Sequence, residues 1–179
     1  MNNNQYDEPL NHQPPVEKPR SILFVCTGNI CRGPMAAALF KRRRHSNCGC
    51  IVRSAGTDGR DGRPVHGEAQ DVLHRRGIDM SRHASRIITP NLLPAFELIL
   101  AMEESHREWI ARHFPDAGHR TWWLGHWRNL ELSRRTNGQY TDYERLADEI
   151  EQCIGDWHRR FAMSVAQSRP PTVVDGIPL

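Results

Sequence analysis

The sequence has no apolar run approaching the roughly 20 residues that a bilayer-spanning helix requires, so membrane insertion is not expected. Its opening stretch, "MNNNQYDEPLNHQPPVEKPR", is polar and proline-rich and lacks the apolar segment of a secretory signal. A cytoplasmic chain is the expectation. Five cysteines, an odd number at irregular spacing (26, 31, 48, 50 and 153), do not make a secreted disulfide framework. Cys48 and Cys50 form a lone C-x-C without a second pair, so no zinc site is expected. The formal net charge of +3 is too mild for a general field toward nucleic acid, and no nucleic-acid partner is expected.

What is present is an ordinary globular composition, 38% hydrophobic and 25% charged, in 179 residues, which suits one domain with its own core. Residues 1–19 read as a disordered arm, 20–163 as the domain and 164–179 as a loose, proline-containing tail.

Within the domain, strands alternate with helices. "SILFVC" (21–26) is apolar on both faces, as a buried parallel strand must be. "PMAAALFKRRRH" (34–45) follows as a helix with Pro34 in its first turn. "CIVRSAGT" (50–57) is a second strand, and "HGEAQDVLHRRGI" (66–78) an amphipathic helix stopped by Gly77. "FELILAM" (96–102), the helix "EESHREWIARHF" (103–114) with a break at Pro115, and "HRTWWLG" (119–125) continue the pattern. After an irregular stretch at 128–139, the helix "TDYERLADEIEQCIGDWHRRFA" (141–162) is interrupted only by Gly155. The order predicts an α/β fold: a four-stranded, parallel, twisted sheet with helices on both faces. Ligands of such sheets sit outside the carboxyl ends of the strands. Cys26 stands at one such end.

The stretch after that strand, "CTGNICRGP", carries an arginine six positions past the cysteine. Successive amides in a glycine-containing turn that runs into a helix N-terminus make an anion-binding concavity. Arg32 adds a planar fork of donors for two phosphate oxygens. Such positive surroundings can lower a cysteine pKa from about 8.5 into the range of roughly 3.5 to 7.5. Cys26 would then be an ionised nucleophile aimed at the centre of a bound oxyanion.

"LFVCTGNICRGPMAAALF" closely resembles the phosphate-binding loop of the low-molecular-weight protein-tyrosine phosphatases. The resemblance continues through "RSAGT" (53–57), "GIDMSRHASR" (77–86), "FELILAMEESHREWI" (96–110) and "WWLGHW" (122–127). "LGHWRN" is most similar to the bacterial branch associated with capsule and exopolysaccharide export, whose substrate is a tyrosine-rich autokinase. The resemblance implies Cys26 as nucleophile and Arg32 as phosphate clamp. It makes the backbone of Thr27, Gly28, Asn29, Ile30 and Cys31 the cradle. It also implies a left-handed Asn29, braced by the side chains of Ser54 and His83. Cys31 matches the family's second loop cysteine, which could trap an oxidised Cys26 as a disulfide; a small buried side chain is the competing reading. No metal or organic cofactor is implied. The implied partner is a phosphotyrosine protein such as a bacterial tyrosine autokinase.

Two positions depart from that pattern. The family has Ser or Thr directly after the arginine, where the hydroxyl bonds the thiolate; here the residue is Gly33. Losing one charge-assisted hydrogen bond is worth roughly 1.5 to 3 kcal/mol. The family also carries an Asp-Pro after "LGHW", whose Asp acts as general acid. Alignment from the flanks puts Arg134 and Arg135 there, and no carboxylate lies between Glu131 and Asp142. An arginine, with a pKa above about 12, cannot supply the proton. Asp142 reads as a helix cap, and Asp175 is followed by Gly rather than Pro. Arg60 and Arg63, with Arg134 and Arg135, would make the pocket mouth basic. Trp122, Trp123 and Trp127 read most simply as strand and core residues.

These features predict a protein-tyrosine phosphatase, impaired by the missing Asp and loop hydroxyl. The alternative is a phosphatase-like protein that binds phosphotyrosine or another oxyanion without efficient turnover. An arsenate reductase is less well supported, because no suitable cysteine stands between Cys50 and Cys153.

Overall fold

A computed structural model describes residues 14–15, 17–43, 49–133 and 142–167. Most of the expected N-terminal arm, Cys48, the Arg134–Arg135 pair and Asp175 lie outside the described residues.

Four parallel strands form one sheet in the order β2-β1-β3-β4. They are β1 (Ser21–Cys26), β2 (Ile51–Gly56), β3 (Leu98–Ala101) and β4 (Thr121–Trp123). The central β1 runs beside β2 with Cys26 opposite Gly56, and beside β3 with Val25 opposite Ala101. All six of its residues are buried, as its two apolar faces require. The chain leaves β1 toward β2 on one side and returns to β3 on the other. The crevice between the loops after β1 and β3 is therefore a topological switch point, where such sheets bind ligands.

Helices cover both faces. On one, Ile22, Phe24 and Cys26 of β1 pack with Met35, Leu39 and Phe40 of α1 (Arg32–Arg43) and with Ile150, Ile154, Trp157 and Phe161 of α5 (Tyr143–Gln167). On the other, Leu23, Val25, Ala55 and Ile99 meet Ile110 of α3 (Glu104–His113) and Ala117 of α4 (Pro115–Gly118). The amphipathic α2 (Gly67–Arg75) is tied to α5 by Arg76, whose guanidinium reaches Glu144 at 2.8 Å and Asp148 at 2.7 Å.

Several boundaries differ from the sequence expectation. α1 begins at Arg32 rather than Pro34, which places the arginine in the helix's first turn. Pro115 does end α3, but it opens the short α4, where its missing N–H costs nothing. α5 runs unbroken through Gly155 to Gln167, past the expected end at 162. Gly155 is not a break: a Cβ there would stand 3.3 Å from the Arg43 guanidinium, so its bareness admits α1's last arginine. The tryptophans divide as their surroundings dictate. Trp122 is buried, while half-buried Trp127 packs edge-on to Trp157 under Arg160, 4.6 Å from its ring centroid. Trp123 is also half-buried and donates its indole N–H to Glu104.

Among the described residues, no helix is long and apolar enough to cross a membrane.

Candidate active site

The loop from Cys26 to Arg32 closes the crevice from the β1 side. Five of its carbonyls are held from outside. Cys26 O accepts from Thr57 N at 3.0 Å, Thr27 O from Asp58 N at 3.0 Å, and Asn29 O from the His83 ring at 2.8 Å. Ile30 O accepts from His66 N at 2.7 Å and Cys31 O from Met35 N at 3.0 Å. With these acceptors committed, what the loop offers a guest is amides, and two of them, Asn29 and Gly33, already donate to the Cys26 thiol. An amide-lined concavity at the start of a helix is an oxyanion site. The close approach of β2 depends on Gly56, since a Cβ there would lie 2.3 Å from Thr27 O.

Asn29 adopts a left-handed backbone with φ of 51°, as expected. Its brace differs in detail. Its side-chain amide donates to the backbone carbonyls of Ser54 at 3.3 Å and Arg86 at 3.4 Å, so Ser54 contributes its main chain and not its hydroxyl. His83 supports the loop through Nε2, which must carry the proton it donates to Asn29 O. Burial chiefly, with Arg86 and Lys41 assisting, holds this imidazole below its usual pKa.

Arg32 is 4% exposed. Its Nη1 donates to Glu103 Oε1 at 2.5 Å and to Leu132 O at 3.0 Å, and its Nη2 donates to Thr27 Oγ1 at 3.3 Å. Three of five N–H groups are thus spent on orientation, leaving Nε and one Nη2 proton as a fork for two phosphate oxygens. Because Thr27 Oγ1 accepts from Arg32, its own proton points to His106 Nε2, 2.9 Å away. That leaves the His106 proton on Nδ1, which faces Glu103 Oε2 at 3.7 Å. Burial, then Arg32, drives the His106 pKa down to about 4, so the ring is neutral. Glu103 and His106 escaped the sequence reading. Their positions directly after β3, opposite the loop after β1, were the available signal.

The thiol itself overturns one expectation. Burial pushes Cys26 above the ordinary thiol value, against Arg32 and the amides of Gly33 and Asn29, with Glu103 adding to the upward push. The cradle's positive groups are present, but Cys26 is only 2% exposed and its burial outweighs them, with Glu103 opposing Arg32 in small part. Cys26 and Cys31 are both thiols, with no disulfide between them. Gly33 leaves a visible deficit: a Cβ there would sit 3.1 Å from Cys26 Sγ and 3.5 Å from Asn29 Oδ1, and that buried Oδ1 has no hydrogen-bond partner. A hydroxyl at position 33 would stand between the two.

The carboxylates closest in sequence to position 134 are engaged. Glu131 caps α3 by accepting from Glu104 N at 3.1 Å. Asp142 caps α5 by accepting from Arg145 N at 3.1 Å, as the sequence suggested. Arg60 and Arg63 are exposed, and their backbones hold Ser85.

A strand-end cysteine, an amide cradle and an anchored arginine define a cysteine-dependent phosphatase site. The family model for the low molecular weight phosphotyrosine protein phosphatases matches residues 21–167, and the chain belongs to that family. It is 33% identical over 142 residues to the low molecular weight protein-tyrosine-phosphatase Ptp of Acinetobacter johnsonii, covering 79% of this chain and 98% of that one. A protein-arginine-phosphatase of Geobacillus stearothermophilus is 33% identical over 139 residues, covering 76% and 92%. The solved YwlE arginine phosphatase from that organism superposes with a TM-score of 0.74 at 28% identity, over 85% of this chain and 99% of that one. Vibrio vulnificus Wzb in complex with benzylphosphonate superposes with a TM-score of 0.72 at 25% identity, over 80% and 99%.

Proposed function

We propose that this protein hydrolyses phosphotyrosine in a cytoplasmic protein through a phosphocysteine intermediate, slowly, and that its substrate is a tyrosine autokinase of exopolysaccharide production. The observation that carries the chemistry is Cys26 Sγ held at the base of an amide cradle beside an anchored Arg32. The tyrosine reading draws support from the Acinetobacter relative, named a protein-tyrosine-phosphatase, and from the ligand of the Vibrio protein, whereas the Geobacillus relatives are named arginine phosphatases. Benzylphosphonate, held by the Vibrio protein, presents an aromatic ring one atom from phosphorus, as phosphotyrosine does. The exopolysaccharide link draws on the "LGHWRN" resemblance alone.

In the first step the Cys26 thiol gives its proton to the bound phosphate dianion, and the thiolate so formed attacks phosphorus; an S–P bond forms as the P–O bond to the tyrosyl oxygen breaks. Arg32 and the loop amides carry the charge on the equatorial oxygens. Because the sequence aligns Arg134, and no Asp, with the family's acid position, the phenolate leaves unprotonated and takes its proton from solvent. Water then attacks phosphorus, the S–P bond breaks, and orthophosphate and the thiolate are released.

General acid help is typically worth 10²–10⁴-fold. The test is kcat/KM over aryl phosphates of graded leaving-group pKa, for wild type, Cys26→Ser and Arg134→Asp. Wild type should lose rate steeply as the leaving group worsens. Cys26→Ser should be inert, and Arg134→Asp should gain most on poor leaving groups. The raised thiol and the Arg at 134 also favour a second reading, a phosphotyrosine binder without turnover. Wild-type rates equal to those of Cys26→Ser would leave only that.

A further inference from the structure

Behind the phosphate loop lies a second concavity, a cleft of about 630 Å³ between the outer side of α1, the edge strand β2 and the segment 77–86. Its volume falls in the range of small-molecule sites, roughly 300–1,000 Å³. Its walls differ in character. Ala37 and Ala38 of α1 face half-buried Ile78 and Met80 and form an apolar slot. Around it stand Arg53, Arg82 and Arg86.

Half of the described arginines pair with a carboxylate, and what sets these three apart is that they stand unpaired around one cleft. Arg20, Arg75, Arg76, Arg107, Arg128, Arg145 and Arg159 each pair with a carboxylate. Arg53, Arg82 and Arg86 have no ion pair among the described residues, although all three are exposed and line one cleft. The single carboxylate in the lining, Asp79, lies in the field of Arg82 but takes its hydrogen bonds locally. Its oxygens accept from Ser81 N at 2.8 Å and Ser81 Oγ at 3.0 Å. Arg42, also in the lining, is committed to Glu151 and to Arg76 O.

Like charges held around one concavity repel unless an anion sits between them. Guanidinium forks suit phosphate, and three of them exceed what one phosphate needs. We propose that this cleft is a second ligand site for a small, multiply phosphorylated molecule of nucleoside-diphosphate size. Its phosphates lie on Arg53, Arg82 and Arg86, and its ring lies in the slot between Ala37–Ala38 and Met80. His83 lines the same cleft and donates to Asn29 O, so the site shares a side chain with the support of the phosphate loop.

The probe is ADP, titrated calorimetrically into the protein with the Cys26 loop saturated by orthovanadate. The expected result is one site per chain that survives vanadate. It should weaken at least tenfold in Arg53→Glu/Arg82→Glu and lose affinity as salt rises. Adenosine should bind at least tenfold more weakly than ADP, and the His83 imidazole NMR signal should move on ADP binding. Both substitutions are on exposed side chains, and an unchanged thermal melt of the double variant confirms its fold. Binding lost to vanadate, or unaffected by the double charge reversal, overturns the site. Equal affinity for pyrophosphate and ADP overturns the slot as a ring site.

Discussion

Arg32 and Glu103, 71 residues apart in sequence, meet at 2.5 Å across the crevice between the loops after β1 and β3. The pair fixes the phosphate clamp, and it also places a negative charge beside the nucleophile. Glu103 therefore orients the site while opposing thiolate formation.

Glu103→Gln separates these two effects. The amide can still accept from Arg32 but no longer repels a thiolate, so the Cys26 pKa should fall. Iodoacetamide alkylation against pH measures it. The melt should weaken by about 1–3 kcal/mol, because a nearly buried guanidinium loses its charged acceptor. An alkylation midpoint unmoved or raised would show that Glu103 does not act on the sulfur.

Gly33→Ser should add what the loop lacks, a donor between Cys26 Sγ and the orphaned Asn29 Oδ1. A gain of about 1.4 kcal/mol in transition-state stabilisation is tenfold in rate, and aryl phosphate turnover should rise by about that factor. Gly33→Ala supplies the Cβ at its tight 3.1 Å contact without the hydroxyl, and should not gain. Equal rates for the two variants would remove the hydrogen bond from the explanation.

His106 sets a pH limit on stability. Its folded-state pKa, about 4, lies below the unfolded value near 6.5, so between those values the unfolded chain binds more protons. Its contribution is intact above about pH 6.5 and is lost as pH falls toward 4, on the order of 2 kcal/mol. Urea melts at pH 7.5 and 4.5 for wild type and His106→Asn measure it. The variant should show the smaller difference between the two pH values; an identical difference would exclude His106 as the source.

Gly56→Ala tests the strand contact that shapes the cradle. Its Cβ would lie 2.3 Å from Thr27 O, so backbone must shift, and orthophosphate inhibition should weaken at least tenfold. Unchanged inhibition would show that the loop tolerates displacement from β2.

How much of this was legible depended on sequence distance. The loop from Cys26 to Arg32 is contiguous, so its nucleophile, clamp and left-handed Asn29 could be read from one stretch. The parallel direction of the strands followed from alternation, because parallel strands need crossovers; their order in the sheet did not. The supports of Arg32 could not be read in the same way. They come from Glu103 and from the carbonyl of Leu132, 71 and 100 residues away, and a backbone carbonyl leaves no mark in residue type. Ser54 misled for the same reason: its side chain was expected, and its main chain serves. The thiol was misread because the motif displays its cations but not its burial or Glu103. Gly155 looked like a break because its role is set by Arg43 on another helix.

The most direct test of the account is acid quench of the protein during turnover of a good aryl phosphate substrate, followed by mass spectrometry of the Cys26 peptide. A phosphate adduct on Cys26, formed at the rate of phenol release and absent from Cys26→Ser, is the predicted result. Phenol release by Cys26→Ser at the wild-type rate, with no adduct on the wild-type peptide, would contradict it.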